Sequence, residues 1–265
     1  MRSNFVDIGR KVKPEEEQPS SPVDWASQHL AFLADPQQAQ VLDSTHRRVL
    51  VNCCRQWGKS TTAAVRALHN PNSETILIAP GLRQSAELLR KIKNLSPVAI
   101  VKSDGTNRHS LQFPNGARIL ALPGNREKIR GFSNVSLLII DEAAWVPDSL
   151  YFAVRPFLAA APDASLLVMS TPNGDSGFFH QTWISSNTQS SNHEWQRITV
   201  KATDCPRISP TFLEEERAAL TDHFFRQEYM CEFLSHNRAV FSRELIEDWF
   251  KFKTHGETKP IHFEL

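Results

Sequence analysis

The sequence predicts an α/β fold, a mostly parallel sheet with helices on both faces and a small helical segment after it. Three observations predict this. Glu74-Thr-Ile-Leu-Ile-Ala79, Val135-Ser-Leu-Leu-Ile-Ile140 and Ser165-Leu-Leu-Val-Met-Ser170 are short apolar runs without alternation, as expected of strands buried on both faces. Stretches of helical periodicity separate them: Leu82, Ala86, Leu89 and Ile92 share one helix face. Finally, Val49 to Thr62, "VLVNCCRQWGKSTT", sets Gly-Lys-Ser between a strand and an alanine-rich helix. That is the context a phosphate-binding loop requires.

The elements follow in order. Residues 1–22 are polar, carry the Lys13-Pro-Glu-Glu-Glu17 charge run and read as a flexible leader. A helical pattern runs from Trp25 to Leu42, then a strand over 48–52, a helix from Ser60 to His69, and the strand 74–79. Residues 82–94 form an amphipathic helix with Arg83, Arg90, Lys91 and Lys93 off its apolar face. Asn115-Gly116 between Ser110–Phe113 and Ala117–Leu122 signals a hairpin. The strands 135–140 and 165–170 come next, and Trp195–Val200 is the last strand. Ser209-Pro210 starts a helix, and Phe225, Tyr229 and Phe233 line one face of another. The expected organisation is a core over 23–204 and a helical lid and linker over 205–265, with no internal repeat.

Composition narrows the function classes. The chain has 265 residues, enough to bury a full core, and its formal charge of +1 gives no whole-molecule argument for or against nucleic acid. Cys53, Cys54, Cys205 and Cys231 show no zinc-ligand spacing and read as small buried thiols in a reducing compartment. The N-terminus has charges where a signal peptide needs an apolar core, and no run approaches membrane-spanning length. A soluble, cytoplasmic protein without a membrane partner is expected.

The loops carry the chemistry. The usual phosphate loop is G-x-x-x-x-G-K-[ST], and here Cys53 stands where the first glycine belongs. The loop tolerates this if Cys53 still lies on the strand and Gly58 makes the sharp turn. Backbone N–H groups from Gln56 through Trp57, Gly58 and Lys59 to Ser60 then surround the phosphates, with Lys59 on the terminal phosphates and Ser60 on Mg2+. A chance Gly-Lys-Ser after a strand is the plain alternative. Leu137-Leu-Ile-Ile-Asp-Glu142, about 80 residues later, is a strand ending in two carboxylates. Asp141 is suited to hold Mg2+ and Glu142 to deprotonate the attacking water. Ser170-Thr171-Pro172 ends a further strand, either to hydrogen-bond a γ-phosphate or as an ordinary Ser/Thr turn. Arg55, inside the loop, can reach the γ-phosphate of its own chain. Arg130, which precedes the Asp141 strand, is better placed to act on a neighbouring subunit, or is simply solvated.

Taken together, "CCRQWGKST", "LLIIDEAAW" and "MSTPNG" resemble the ATPase domain of the large terminase subunits, the DNA-packaging motors of tailed bacteriophages. That family's loop has Arg-Gln before x-Gly-Lys-[Ser/Thr] and often lacks the first glycine. The resemblance extends from about residue 24 to 250. It includes Asp35-Pro-Gln-Gln-Ala-Gln-Val-Leu42, with Gln38 as the adenine-reading glutamine, "KIRGFSNVSLLIIDEAA", and "FFRQEYMCEFL" as part of the lid. It implies a P-loop NTPase of the additional-strand, catalytic-glutamate type that binds ATP and Mg2+. Gln38, Arg55, Gln56, Trp57, Gly58, Lys59, Ser60 and Thr61 would contact nucleotide, Ser60 and Asp141 the metal. Glu142, Arg55 and Arg130 would be catalytic, Arg130 in trans, and Ser170, Thr171 and Pro172 would couple hydrolysis to DNA movement. Double-stranded DNA, a portal protein, a small terminase subunit and a homo-oligomeric ring are the implied partners. The family's C-terminal nuclease domain would begin where this sequence stops, so no nuclease activity is expected of these residues.

Two other readings stay open from the residues alone: a helicase-like ATPase, and an ATP-binding remnant without turnover. The first needs a second α/β lobe, for which the roughly 60 residues after Val200 are too few. Arg83, Arg90, Lys91, Lys93 and Lys102 are candidate DNA contacts, although Glu87 interleaves with them as on a solvated helix face.

Overall fold

Strand β1, Arg48–Cys53, starts a sheet whose two faces are both apolar. Side chains alternate along each strand, so Val49, Val51 and Cys53 enter one core while Leu50 enters the other. The same split places Leu77, Ile139 and Leu167 on the first face and Ile76, Leu138, Ile140 and Val168 on the second. Each fully buried aliphatic side chain contributes on the order of 1.5–3 kcal/mol. The computed structural model describes residues 21–69, 73–96, 109–124, 129, 131–132, 134–185 and 195–235.

In chain order the elements are α1 Pro22–Leu30, α2 Pro36–Leu42, β1, α3 Lys59–Leu68, β2 Glu74–Ile78 and α4 Leu82–Leu95. They continue with β3 Ser110–Gln112, β4 Arg118–Ala121, β5 Val135–Asp141, α5 Asp148–Val154, β6 Ser165–Ser170 and α6 Gly177–Ile184. Strand β7 Trp195–Val200 and helices α7 Pro210–Ala219 and α8 Asp222–Met230 follow. The strand order is β3-β4-β2-β5-β6-β1-β7, parallel throughout except for the β3–β4 hairpin. Strand β6 lies between β1 and β5, which is the inserted strand of the additional-strand type. Helices α3, α4 and α8 cover one face, and α5 and α6 the other.

The register sets the carboxyl edge. Asn52 is opposite Ser170, Asp141 opposite Met169 and Cys53 opposite Val200, so β1, β5 and β6 end side by side. Loops leaving these tips meet where open α/β sheets bind their ligands.

Three expectations change. The helical pattern 25–42 is two helices: Ala31 turns left-handed with φ 49°, and Asp35 opens α2 in a reciprocal capping box with Gln38. Pro36 disfavours helical geometry at Asp35, which explains the break. Phe233 does not continue the face of Phe225 and Tyr229, because α8 ends at Cys231 in the left-handed region with φ 61°. The chain then places Phe233 on the opposite side of the sheet, against Phe179, His180 and Trp183, with ring centroids 5.8, 5.0 and 6.1 Å away. Helices α5 and α6 lie beyond the sequence expectations; Gly177–Ile184 carries almost no apolar periodicity. The expected leader lies outside the described residues except for Ser21, whose hydroxyl caps α1 at Asp24 N–H, 3.1 Å, and Pro22, which opens that helix.

Candidate nucleotide site

The turn after β1 is built from two left-handed residues, Gln56 with φ 63° and Gly58 with φ 104°. Cys53 remains the last residue of β1, so the strand needs no glycine there. Gly58 caps α3, its carbonyl accepting from Thr61 N–H at 2.9 Å and Thr62 N–H at 3.0 Å. A Cβ on Gly58 would stand 2.9 Å from Gln38 Nε2, so a side chain there would require the buried Gln38 amide to shift. A turn of this kind aims successive backbone N–H groups at one point, beside the positive end of α3.

Lys59 and Ser60 open α3 and face the tip of β5. Lys59 Nζ is 3.2 Å from Glu142 Oε1, and Ser60 Oγ donates to Asp141 Oδ2 at 3.4 Å. Burial works against the Lys59 charge, but Cys53, Glu142 and Asp141 outweigh it and hold the ammonium above its ordinary range. The Cys53 thiol is itself pushed well up by burial, so at neutral pH the two carboxylates supply the countercharge. Asp141 is buried, and its carboxyl is pushed up to about 6, first by burial and then by the Glu142 charge, with Lys59 acting against both. Glu142 turns left-handed with φ 50°, which directs its side chain out of the strand and back toward Lys59.

A hollow of about 480 Å³ opens over the loop, walled by Arg55, Lys59, Ser60, Lys91, Glu142 and Trp145. A second of about 590 Å³ shares Ser60, Lys91 and Glu142 with it and continues along α4. Lys91, a candidate DNA contact in the sequence, lines this site and donates to Thr61 Oγ1 at 2.9 Å. Arg90 pairs with Glu87, while Arg83 and Lys93 are exposed. Lys102 lies outside the described residues.

The remaining sequence candidates divide. Trp57 is fully buried, so its indole belongs to the core and only its backbone reaches the loop. Gln38 is buried beneath the loop; its amide closes the capping box and donates to the Trp57 carbonyl at 3.4 Å. Arg207 binds the same carbonyl and pairs with Asp35 at 2.8 Å. Arg55 pairs with Glu228 of α8. Ser170 Oγ accepts from Ala144 N–H at 3.1 Å, tying the end of β6 to the turn after Glu142, while Thr171 is buried and Gly174 N–H donates to Gln227 at 3.3 Å. Pro172 lies between Thr171 and that Gly174 contact. Arg130 lies outside the described residues.

Residues 51–248 match the family model described as the terminase large subunit, T4likevirus-type, N-terminal region. The chain belongs to the terminase large subunit family. Among curated large terminase subunits it is 27% identical to that of Thermus phage G20c over 242 residues, 77% of this chain and 50% of that protein. The large subunit of Escherichia phage T5 is 26% identical over 208 residues, 75% and 47% of the two. This chain therefore spans about half the length of the curated relatives it matches. The large terminase ATPase domain of Thermus phage P74-26 superposes with a TM-score of 0.68 at 22% identity, covering 81% of this chain and 100% of that one. The HK97 large terminase gives 0.65 at 20%, covering 86% and 57%. These likenesses show that the sheet has the fold of the large terminase ATPase domains.

The oxygen set at the tip of β5 suits Mg2+, which takes one or two carboxylates and a hydroxyl together with substrate phosphates. Ser60 Oγ and Asp141 Oδ2 already converge there, and among the described residues no group of three or more His, Cys, Asp or Glu offers a richer metal cage. No helix among the described residues is long and apolar enough to cross a membrane. Sequence reasoning missed Arg207, Gln227 and Glu228, because each meets the site from more than 50 positions away and belongs to no local pattern.

Proposed function

We propose that this chain binds ATP with Mg2+ and hydrolyses it to drive double-stranded DNA into a viral procapsid, as the motor part of a terminase large subunit. The observation that carries the reading is the convergence of Lys59 and Ser60 with Asp141 and Glu142, from two strands separated by β6. A large terminase from a thermophilic bacteriophage has been solved in complex with ATP-gamma-S, which supports a nucleotide at this family's site.

In this reading the N–H groups from Gln56 to Ser60 bind phosphate oxygens, Thr61 borders the nucleotide, and Lys59 neutralises the terminal phosphates. Ser60 and Asp141 hold the metal, which when bound neutralises charge on the β- and γ-phosphates. Glu142, whose Oε1 pairs with Lys59 at the mouth of the hollow, takes the proton of the attacking water. Arg55 contacts the γ-phosphate, Gln38 supports adenine recognition, and Arg130 completes a neighbour's site in a homo-oligomeric ring. Ser170, Thr171 and Pro172 carry the hydrolysis state from Glu142 to the α8 segment through the Ala144 and Gly174 contacts. A portal protein and a small subunit in the host-cell cytoplasm complete the assembly, and residues 205–265 form the lid and linker.

The DNA half of the proposal is tested by steady-state ATP turnover with added double-stranded or single-stranded DNA of several sequences. Stimulation by the duplex alone, independent of sequence and weakened by salt, is expected. Stimulation by single strands with strand separation would favour the helicase-like reading instead.

A further inference from the structure

Helix α4 turns one face toward the phosphate loop. Gln84, Leu88, Lys91 and Leu95 recur at helical spacing and all line the second hollow, and Gln84 and Lys91 line the first as well. The cations around the two hollows are differently engaged. Lys59 faces Glu142, Arg55 pairs with Glu228, and Arg90 is held by Glu87. Lys91 donates only to the neutral Thr61 hydroxyl and makes no ion pair among the described residues.

The hollows also differ in their walls. Arg55, Gln56, Gly58 and Lys59 line the first, where a nucleotide seated on the loop would place its phosphates. None of these four lines the second, which is about 590 Å³. It starts at Ser60, Asp141 and Glu142, the metal and water end of the proposed site, and runs past Thr61 to Asn94 and Leu95. A group set free beside Glu142 can therefore enter the second hollow while a diphosphate stays on the loop.

We infer that the second hollow is a binding site for orthophosphate, the outlet by which it leaves after hydrolysis, with Lys91 as its ligand where the two hollows join. The inference rests on the proposed ATP reading. Hydrolysis bonds the water oxygen to the γ-phosphorus and breaks its bond to the β–γ bridging oxygen, with the water proton passing to Glu142, so the products are a diphosphate and a separate orthophosphate anion. An ammonium is a compact charge with three donors on a flexible stem, which suits an anion held at changing angles. Gln84, whose Oε1 already accepts from Gly81 N–H at 2.9 Å, adds an amide donor on the same face. Asp141 and Glu142 line one end of the hollow and Glu87 the other. Their like charge keeps an anion weakly bound, as an outlet requires.

The test is titration of orthophosphate onto the whole chain saturated with Mg2+ and ADP, without DNA, followed by 31P NMR, with ADP affinity measured by calorimetry. The parent should bind orthophosphate and ADP together. Lys91→Gln should weaken orthophosphate about two- to fivefold, the range of an exposed charge pair, and leave ADP unchanged, whereas Lys91→Arg should bind as the parent does. Asn94→Asp places a carboxylate in the second hollow alone, so it too should weaken orthophosphate and spare ADP, and it decides the matter should Lys91→Gln fail to fold. Orthophosphate that competes with ADP, that does not bind beside it, or that binds equally well to Lys91→Gln or Asn94→Asp would overturn the inference while leaving ATP binding intact. An equal loss of ADP and orthophosphate in Lys91→Gln would do the same. A parent chain that binds no ADP would overturn the ATP reading and this one with it.

Discussion

Lys59 Nζ stands 3.2 Å from Glu142 Oε1, an ion pair between the first turn of α3 and the residue that follows β5. The pair is asymmetric in burial: the lysine side chain is almost enclosed, and the glutamate side chain is about one third exposed. Lys59 is therefore fixed by its surroundings, whereas Glu142 can be reached by solvent.

This asymmetry predicts what Lys59→Ala does. The substitution removes the cation facing the hollow, and a hydrogen bond to a charged group accounts for about ten- to a hundredfold in affinity. ATP binding by calorimetry should weaken by that much. Affinity within twofold of the parent would remove Lys59 from phosphate binding.

Asp141 gives a pH prediction. Its carboxyl is pushed up from 3.8 to about 6, chiefly by burial. The folded state therefore binds more protons than the unfolded state between those values. The stability from this group is fully present below 3.8 and is lost as pH rises through about 6. With metal chelated and no nucleotide, Asp141→Asn should be more stable than the parent at pH 7.5, by an amount on the order of 1–2 kcal/mol, and should lose this part of the pH slope. Chemical denaturation at pH 5 and 7.5 measures it, and a variant less stable than the parent at pH 7.5 would refute the strained-carboxylate account.

Gly58 and Gly116 form a matched pair. Both have positive φ, 104° and 85°, but a Cβ on Gly58 meets Gln38 whereas one on Gly116 meets nothing within 4 Å. Gly116→Ala should cost only backbone strain, about 1 kcal/mol, and bind ATP normally. Gly58→Ala should cost more and lose ATP binding, as seen by thermal melts beside calorimetry; equal losses for the two would remove the crowding argument.

The thiols are predicted to be inert. Cys53, Cys54, Cys205 and Cys231 are buried, and burial pushes Cys54 up from 9.0 to about 12. Reactivity follows the thiolate, so at fixed pH the Cys54 thiolate fraction falls by about a thousandfold. Labelling with an aromatic disulfide should be slow in native protein and fast in denaturant, and rapid native labelling of Cys54 would contradict its placement.

Much of the core was legible in the sequence because each buried strand is a contiguous run. "LLIIDE" alone gives β5, its two apolar faces and the carboxylates at its tip, and "WGKST" gives the turn and the start of α3. The break at Asp35 was legible in principle, since Asp-Pro-x-Gln is both a cap and a stop, but the apolar periodicity on either side masked it. Phe233 misled because its spacing from Tyr229 fits a helix turn, while the left-handed Cys231 sends it around the sheet edge. The Arg55–Glu228 and Arg207–Asp35 pairs join residues more than 170 positions apart, and only the folded chain brings them together.

In the proposed reaction Glu142 acts on water at a site that Lys59 and Asp141 prepare for ATP. The most direct measurement is steady-state ATP hydrolysis with Mg2+ across protein concentration, for the parent and for Glu142→Gln, with ATP binding measured on both. Turnover in the parent should rise more steeply than protein concentration. Glu142→Gln should lose at least about a hundredfold in turnover with ATP still bound. Turnover preserved in Glu142→Gln, or a parent that binds ATP and never hydrolyses it at any concentration, would remove Glu142 from the chemistry proposed for this site.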